Sequence, residues 1–148
     1  MAHLEQLLNN HMLGVAILSW LVAQILKVFV SLFNEKKLNL SKVFSSGGMP
    51  SSHTAFVMTL TVSIGQTQGY DTPLFAAVAV LSFIVMYDAA NVRLEAGKQA
   101  AILNKLIETL EDPTLNAEKK LKELLGHTKL QVGAGAILGI IIALLFYR

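Results

Sequence analysis

MLGVAILSWLVAQILKVFVSLF, from Met12 to Phe33, is an apolar run whose strongly polar residues, Gln24 and Lys27, come only near its far end. A membrane-crossing helix needs about 20 such residues, and this run supplies them. Apolar residues that arrive in a block, rather than as one stripe per helix, find lipid a better solvent than a soluble core. The composition agrees: 53% of the 148 residues are hydrophobic, 15% are charged, and the mean hydropathy is +0.54, more apolar than a soluble domain of this size requires. The expected fold class is all-α, an integral membrane helix bundle with about four spans plus cytoplasmic amphipathic helix segments, built as one unit over residues 1–148.

Three further apolar segments complete that bundle. His53 to Gly65 is short for a span, and its Thr54, Thr59, Thr61 and Ser63 predict a helix packed inside the protein more than against lipid. QTQGYDTP, Gln66 to Pro73, is a turn with Pro73 placed to open the next helix. That helix is apolar from Leu74 to Met86 and then polar, with apolar residues recurring around Ala100, Leu103, Leu106 and Leu110, as in a helix leaving the membrane. After a break at Pro113, AEKKLKELLG (Ala117 to Gly126) predicts a short amphipathic surface helix. The last span runs from Leu130 to Tyr147, where Gly133, Gly135 and Gly139 permit close helix approach, serving a homo-oligomer as readily as an internal contact.

Four spans put both termini on one side. Of the twelve Lys and Arg residues, only Arg148 lies on that side, so by the positive-inside tendency the other end, with the polar connections, faces the cytoplasm. The first eleven residues carry no Lys or Arg, so no secretory signal peptide is expected. With no cysteine, disulfides, thiolate metal sites and cysteine nucleophiles are excluded. Lys36, Lys37, Lys119, Lys120 and Lys122 suit contact with anionic lipid heads.

Residues suited to chemistry gather toward the cytoplasmic end. GGMPSSHTA, Gly47 to Ala55, is a loop entering a helix: its N–H groups, helped by the helix dipole, can cradle an anion such as phosphate. His53 then stands beside the bound group as a general acid or base, unless Ser51 or Ser52 merely caps the helix and His53 is an interfacial residue. LLGHTKLQV, Leu124 to Val132, puts His127 at the entrance of the last span. One histidine can attack phosphorus while the other protonates the leaving oxygen. Lys27 either faces the protein interior or snorkels to the surface. Arg93 offers a planar fork for phosphate oxygens. Asp88 and Glu95 either position Arg93 or a histidine or are solvated, and Asn91 and Asn104 are further polar candidates.

Taken together, Lys27, GGMPSSH ending at His53, YDAANVRLEAG with Arg93, and GHTKLQVGAGAILG from Gly126 resemble the divergent bacterial and plant branch of the type 2 phosphatidic acid phosphatase superfamily, which also includes vanadium haloperoxidases. The likeness covers almost the whole chain. The wider signature has a lysine followed seven residues on by an arginine, a Pro-Ser-Gly-His loop, and an arginine six residues before a histidine that an acid follows. Here Asn34 stands at the first arginine, Ser52 at the loop glycine, and Gln131 at the acid four residues after His127; a long insertion separates Arg93 from His127. Gln131 can still orient the ring by a hydrogen bond, whereas the charge role would fall to Asp88 or Glu95.

The resemblance implies a single phosphatase-like domain that hydrolyses a lipid phosphomonoester or isoprenyl diphosphate. In it His127 is the nucleophile and His53 the general acid. Lys27, Gly47, Gly48, Ser51, Ser52 and Arg93 bind phosphate, and Asp88, Glu95 and Gln131 are candidate orienting residues. No metal or cofactor is implied, and the sequence lacks the acidic cluster a magnesium site would use. The expected partner is a membrane lipid (phosphatidate, phosphatidylglycerophosphate or an isoprenyl diphosphate) in a bacterial-type inner or plasma membrane, with no nucleic acid. Two other classes compete: a non-catalytic scaffold or lipid-phosphate-binding protein, favoured by Gln131 and the missing arginine, and a small transporter, favoured by Lys27 alone.

Overall fold

A computed structural model describes residues 2–35, 48–109, 121, 123 and 125–147. A short helix α1 (Ala2–Leu8) leads into α2 (His11–Glu35), followed by α3 (Ser52–Gln68), α4 (Pro73–Tyr87), a π-helical turn (Asp88–Val92), α5 (Arg93–Thr109) and α6 (Lys129–Phe146). The described residues form no strand, and the chain is a helical membrane bundle. Three stretches are long and apolar enough to cross a membrane: His11–Phe33, Pro73–Thr109 and Lys129–Phe146. The fourth helix of the bundle is α3, too short for that class at 17 residues, about 25 Å of axis.

α3 is the centre, packing against α2, α4 and α6. Its polar residues are what make that position possible. Thr54, Thr59, Thr61 and Ser63 are all buried, and the threonines satisfy themselves locally before they reach a neighbour. Thr59 Oγ1 donates to the Ala55 carbonyl at 2.8 Å and also lies 3.0 Å from the Gly139 carbonyl of α6. Thr61 Oγ1 lies 2.8 Å from the Val57 carbonyl and 2.7 Å from Ser82 Oγ of α4, which itself lies 3.3 Å from that carbonyl, so the two hydroxyls share one acceptor. Such bonds add only about 0.6 kcal/mol each between membrane helices. Close backbone packing therefore carries more of the stability.

That packing uses two of the three glycines of the last span. α6 runs parallel to α3, and a Cβ at Gly135 would collide with the Ser51 carbonyl, while one at Gly139 would stand 2.5 Å from the Ala55 carbonyl. Gly133 has open space beside it. Small residues four apart thus let two backbones touch inside one chain.

The ends of the bundle differ. At one, His11 Nδ1 and Tyr147 Oη share a 2.9 Å hydrogen bond that brings the start of α2 to the end of α6, so both termini lie there. Thr72 caps α4 at this end, its Oγ1 accepting from the Phe75 N–H at 3.3 Å, with Pro73 opening the helix. At the other end meet the loop before α3, the π turn and the chain entering α6. α4, the π turn and α5 form one continuous helical rod, Pro73–Thr109. On α5 the buried face is Gly97, Ala100 and Asn104, whereas Leu103 and Leu106 are exposed; of the described residues in the expected apolar stripe only Ala100 faces inward, and Leu110 lies outside the described residues. The surface helix expected over Ala117 to Gly126 falls largely outside the described residues, and Leu121, Glu123 and Leu125 lie in non-helical chain.

Gly135→Ala and Gly139→Ala should each wedge α6 from α3 and lower stability by about 1–3 kcal/mol, while Gly133→Ala should not. Thermal unfolding followed by circular dichroism in detergent checks this; equal midpoints for the three variants would contradict the assigned contact.

Candidate functional site

The loop before α3 is shaped by Gly48 and capped by Ser51. Gly48 has φ +100°, a conformation that side chains disfavour, and a Cβ there would stand 2.9 Å from Lys27 Cγ. Lys27 therefore lies against the loop, 2% exposed, facing the protein interior and not snorkelling along lipid. Gly47 lies outside the described residues. Ser51 is fully buried; its Oγ accepts from Thr54 Oγ1 at 3.0 Å and caps α3 through the Thr54 N–H, and its own N–H donates to the Gln131 carbonyl at 3.0 Å. These bonds make Ser51 a helix cap and a tie to α6. With Ser51 N–H committed and no N–H on Pro50, the amides left for an anion among the described residues of this loop are those of Gly48, Met49, Ser52 and His53. Ser52 is buried, and His53 one residue later is exposed.

The π turn brings the second histidine in. A π turn closes on the fifth residue instead of the fourth: the Arg93 N–H reaches back to the Asp88 carbonyl. The Ala89 carbonyl, which an α-helix would give to Arg93, instead accepts the His127 N–H at 2.8 Å. The same five-residue turn stacks Arg93 over Asp88, with Arg93 Nε donating to Asp88 Oδ2 at 2.6 Å. Gly126 makes the approach possible. Its φ is +83°, and a Cβ there would stand 2.5 Å from Leu94 N. Asn104 guides the chain further upstream, donating from Nδ2 to the Leu121 carbonyl and accepting the Leu121 N–H, both at 2.9 Å, while Nδ2 also donates to Glu123 Oε1 at 2.7 Å.

Gln131 fixes the chemistry of the His127 ring. The Thr128 N–H lies 3.2 Å from Gln131 Oε1 as half of a capping box at the start of α6. An N–H can only donate, so the atom facing it must be the amide oxygen. That same oxygen lies 3.1 Å from His127 Nδ1, an arrangement that favours the ring proton on Nδ1 and the lone pair on Nε2. Burial of the ring, 3% exposed, lowers its pKa below 6.5; the charges of Lys27 and His53 add to that, while Gln131 and the Gly48 backbone oppose it. The net effect favours the neutral ring.

His53, Asp88, Arg93 and His127 line one small cleft with Val85 and Ala89, and Lys27 acts electrostatically on both histidines. An insertion that separates Arg93 from His127 in sequence is therefore closed in space. Glu95 stands apart, paired with Lys98 at 2.6 Å on the exposed side of α5. Asp88 is occupied by Arg93, and the ring contact of His127 belongs to Gln131. Sequence reasoning missed the π turn, the Ala89 carbonyl and the positioning part of Gly126. The glycine before His127 was the one visible signal, since DAANV carries no residue that announces a π turn.

The chain matches the family described as the Divergent PAP2 family over residues 8–142. It is 39% identical over 150 residues to "Uncharacterized membrane protein YuiD" of Bacillus subtilis (strain 168), covering 94% of this chain and 95% of that protein. No solved structure matches. A match that spans nearly the whole chain, including the His53 loop, the π turn and His127, places this membrane protein by descent: it belongs to the divergent PAP2 family.

Proposed function

We propose that the protein is a metal-independent membrane lipid phosphatase working through a phosphohistidine. The observation that carries this reading is the Gln131 oxygen on His127 Nδ1, which leaves Nε2 as a nucleophile in the same cleft as His53 and Arg93. The His127 Nε2 lone pair forms a bond to phosphorus as the bond from phosphorus to the leaving oxygen breaks, and His53 gives that oxygen its proton. His53, now neutral, takes a proton from water, whose oxygen attacks phosphorus and breaks the P–N bond. Inorganic phosphate leaves and both histidines return to their starting states. Arg93 and Lys27 offset the charge on the phosphoryl oxygens, and Asp88 holds Arg93. Ser51 supports the loop from behind in this scheme, and Glu95 has no part in it.

The substrate class is a phosphomonoester or diphosphate on a lipid: phosphatidate, phosphatidylglycerophosphate or an isoprenyl diphosphate. A cleft at the end of an apolar bundle suits a molecule whose tail stays in the bilayer. The gathering of Lys and Arg toward that end supports a cytoplasmic active face in a bacterial inner or plasma membrane, and the whole of residues 1–148 acts as one catalytic unit in this reading.

Detergent-purified protein should release phosphate from at least one of phosphatidate, phosphatidylglycerophosphate and farnesyl diphosphate with EDTA present. His127→Ala should abolish release, and His53→Ala should slow it by about 10²- to 10⁴-fold. Folded protein that releases nothing from any of the three would favour a lipid-phosphate-binding scaffold, the reading that Gln131 in place of an acid supports.

Because only the neutral His127 ring attacks, the rate should fall with acid, along a limb lying below 6.5. Stability should move the same way: as pH falls through 6.5, the unfolded chain takes up a proton that the buried ring resists. A pH–rate profile of wild type and Gln131→Glu tests the cause. The new carboxylate should carry the acidic limb upward by about 1 to 3 units, and an unmoved limb would separate His127 from the titration.

A further inference from the structure

A second cavity opens beside the cleft. It is a groove of about 370 Å³ lined by Ile17, Trp20, His53, Phe56, Val57 and Val85, and it shares His53 and Val85 with the cleft that holds Arg93 and His127. Apart from the imidazole every lining side chain is apolar, Trp20 offering a single N–H. His53, Phe56 and Val57 sit at i, i+3 and i+4, one face of α3, so the groove begins at the imidazole and descends about one helical turn along the bundle. Ile17 and Trp20 form the facing wall. Trp20 and Ile17 lie seven and ten residues back along α2 from Lys27, about 10 to 15 Å deeper than the loop.

Resting on the phosphatase reading above, we infer that this groove holds one hydrocarbon tail of the phosphorylated lipid, with the phosphate in the adjoining cleft. The polarity of the two cavities sets the direction. A charged head in the groove would lose its hydration with only His53 and the Trp20 N–H to bond it, whereas the cleft offers Arg93, His53 and His127. A tail in the groove removes Phe56, Val57 and Trp20 from contact with mobile lipid and draws the phosphate ester past His53 toward His127. The volume lies within the range of about 300–1,000 Å³ typical of small-molecule sites and suits one chain; the second tail of a two-chain lipid remains in the bilayer. The groove is then a specificity element: it selects phosphate esters that carry a long apolar chain.

Trp20 is the chain's single tryptophan, so its emission reports the occupant directly. Wild-type protein in an inert detergent is titrated with a non-hydrolysable phosphonate analogue of phosphatidate bearing brominated tails, and in parallel with diacylglycerol bearing the same tails. The expected result is saturable quenching of Trp20 by the phosphonate at mole fractions where diacylglycerol quenches weakly. Val57→Phe, which narrows the groove, should raise the half-saturating fraction roughly tenfold, while Ile137→Phe on the exposed face of α6 should leave it unchanged. Equal quenching by both lipids, insensitive to Val57→Phe, would reduce the groove to ordinary lipid contact and overturn the inference. Phosphate release from phosphatidate, measured on the same preparation, separates the two readings. Saturable phosphonate quenching without release keeps the groove and removes the hydrolase; release without selective quenching keeps the hydrolase and removes the groove.

Discussion

The hydrogen bond from the His127 N–H to the Ala89 carbonyl joins the two halves of the site. It exists because the helix carrying Arg93 is wound as a π turn at that point, so the Arg93 N–H bonds Asp88 instead of Ala89. One added residue per turn does three things at once: it leaves a carbonyl for the returning chain, sets Asp88 beneath Arg93, and faces both toward His53. The returning chain can use that carbonyl only because Gly126 and Gly97 carry no side chain; a Cβ at Gly97 would meet the Glu123 carbonyl. Had α4 and α5 been joined by regular α-helix, the insertion before His127 would have no such anchor next to Arg93.

Gln131 joins the architecture to the chemistry. Its backbone carbonyl holds the N-cap residue of α3, and its side-chain oxygen holds both the N-terminus of α6 and the His127 ring. A neutral amide can do all of this, fixing one tautomer and one ring orientation without the charge of a carboxylate. The physical consequence is a less basic imidazole, since a dipole stabilises an imidazolium less than an anion does. Burial pushes in the same direction. In the proposed mechanism this neutral ring attacks, and positive charge that develops on it is offset by the Gln131 side-chain oxygen and the Gly48 backbone.

Much of this was legible in the sequence where physics acts locally. Block hydrophobicity specified a helical membrane bundle, the threonines and serines of 54–63 specified the interior position of α3, and GGMPSSH specified a loop entering a helix with a histidine at its start. The residues Lys27, His53, Asp88, Arg93 and His127 could be named without knowing how they meet. What was not legible depended on distant backbone: whether Ser51 faces a ligand or seals a cap, whether Gly135 and Gly139 serve this chain or a second copy, and which carboxylate supports Arg93. A serine before a helix reads the same in either use. The apolar spacing on α5 misled for a related reason, because the buried face there is Gly97, Ala100 and Asn104, chosen for close passage of Leu121, Glu123 and Leu125 and not for hydrophobic area.

In the proposed mechanism His127 attacks phosphorus through Nε2 because Gln131 holds the proton on Nδ1. The most direct measurement is to mix the protein with its best phosphate-lipid substrate, quench in alkali within a turnover, and locate the phosphoryl group by mass spectrometry and isomer-resolving chromatography of the peptide containing His127. Phosphate on Nε2 of His127 is the expected result. Phosphate on Nδ1, on another residue, or on no residue while turnover proceeds would contradict it.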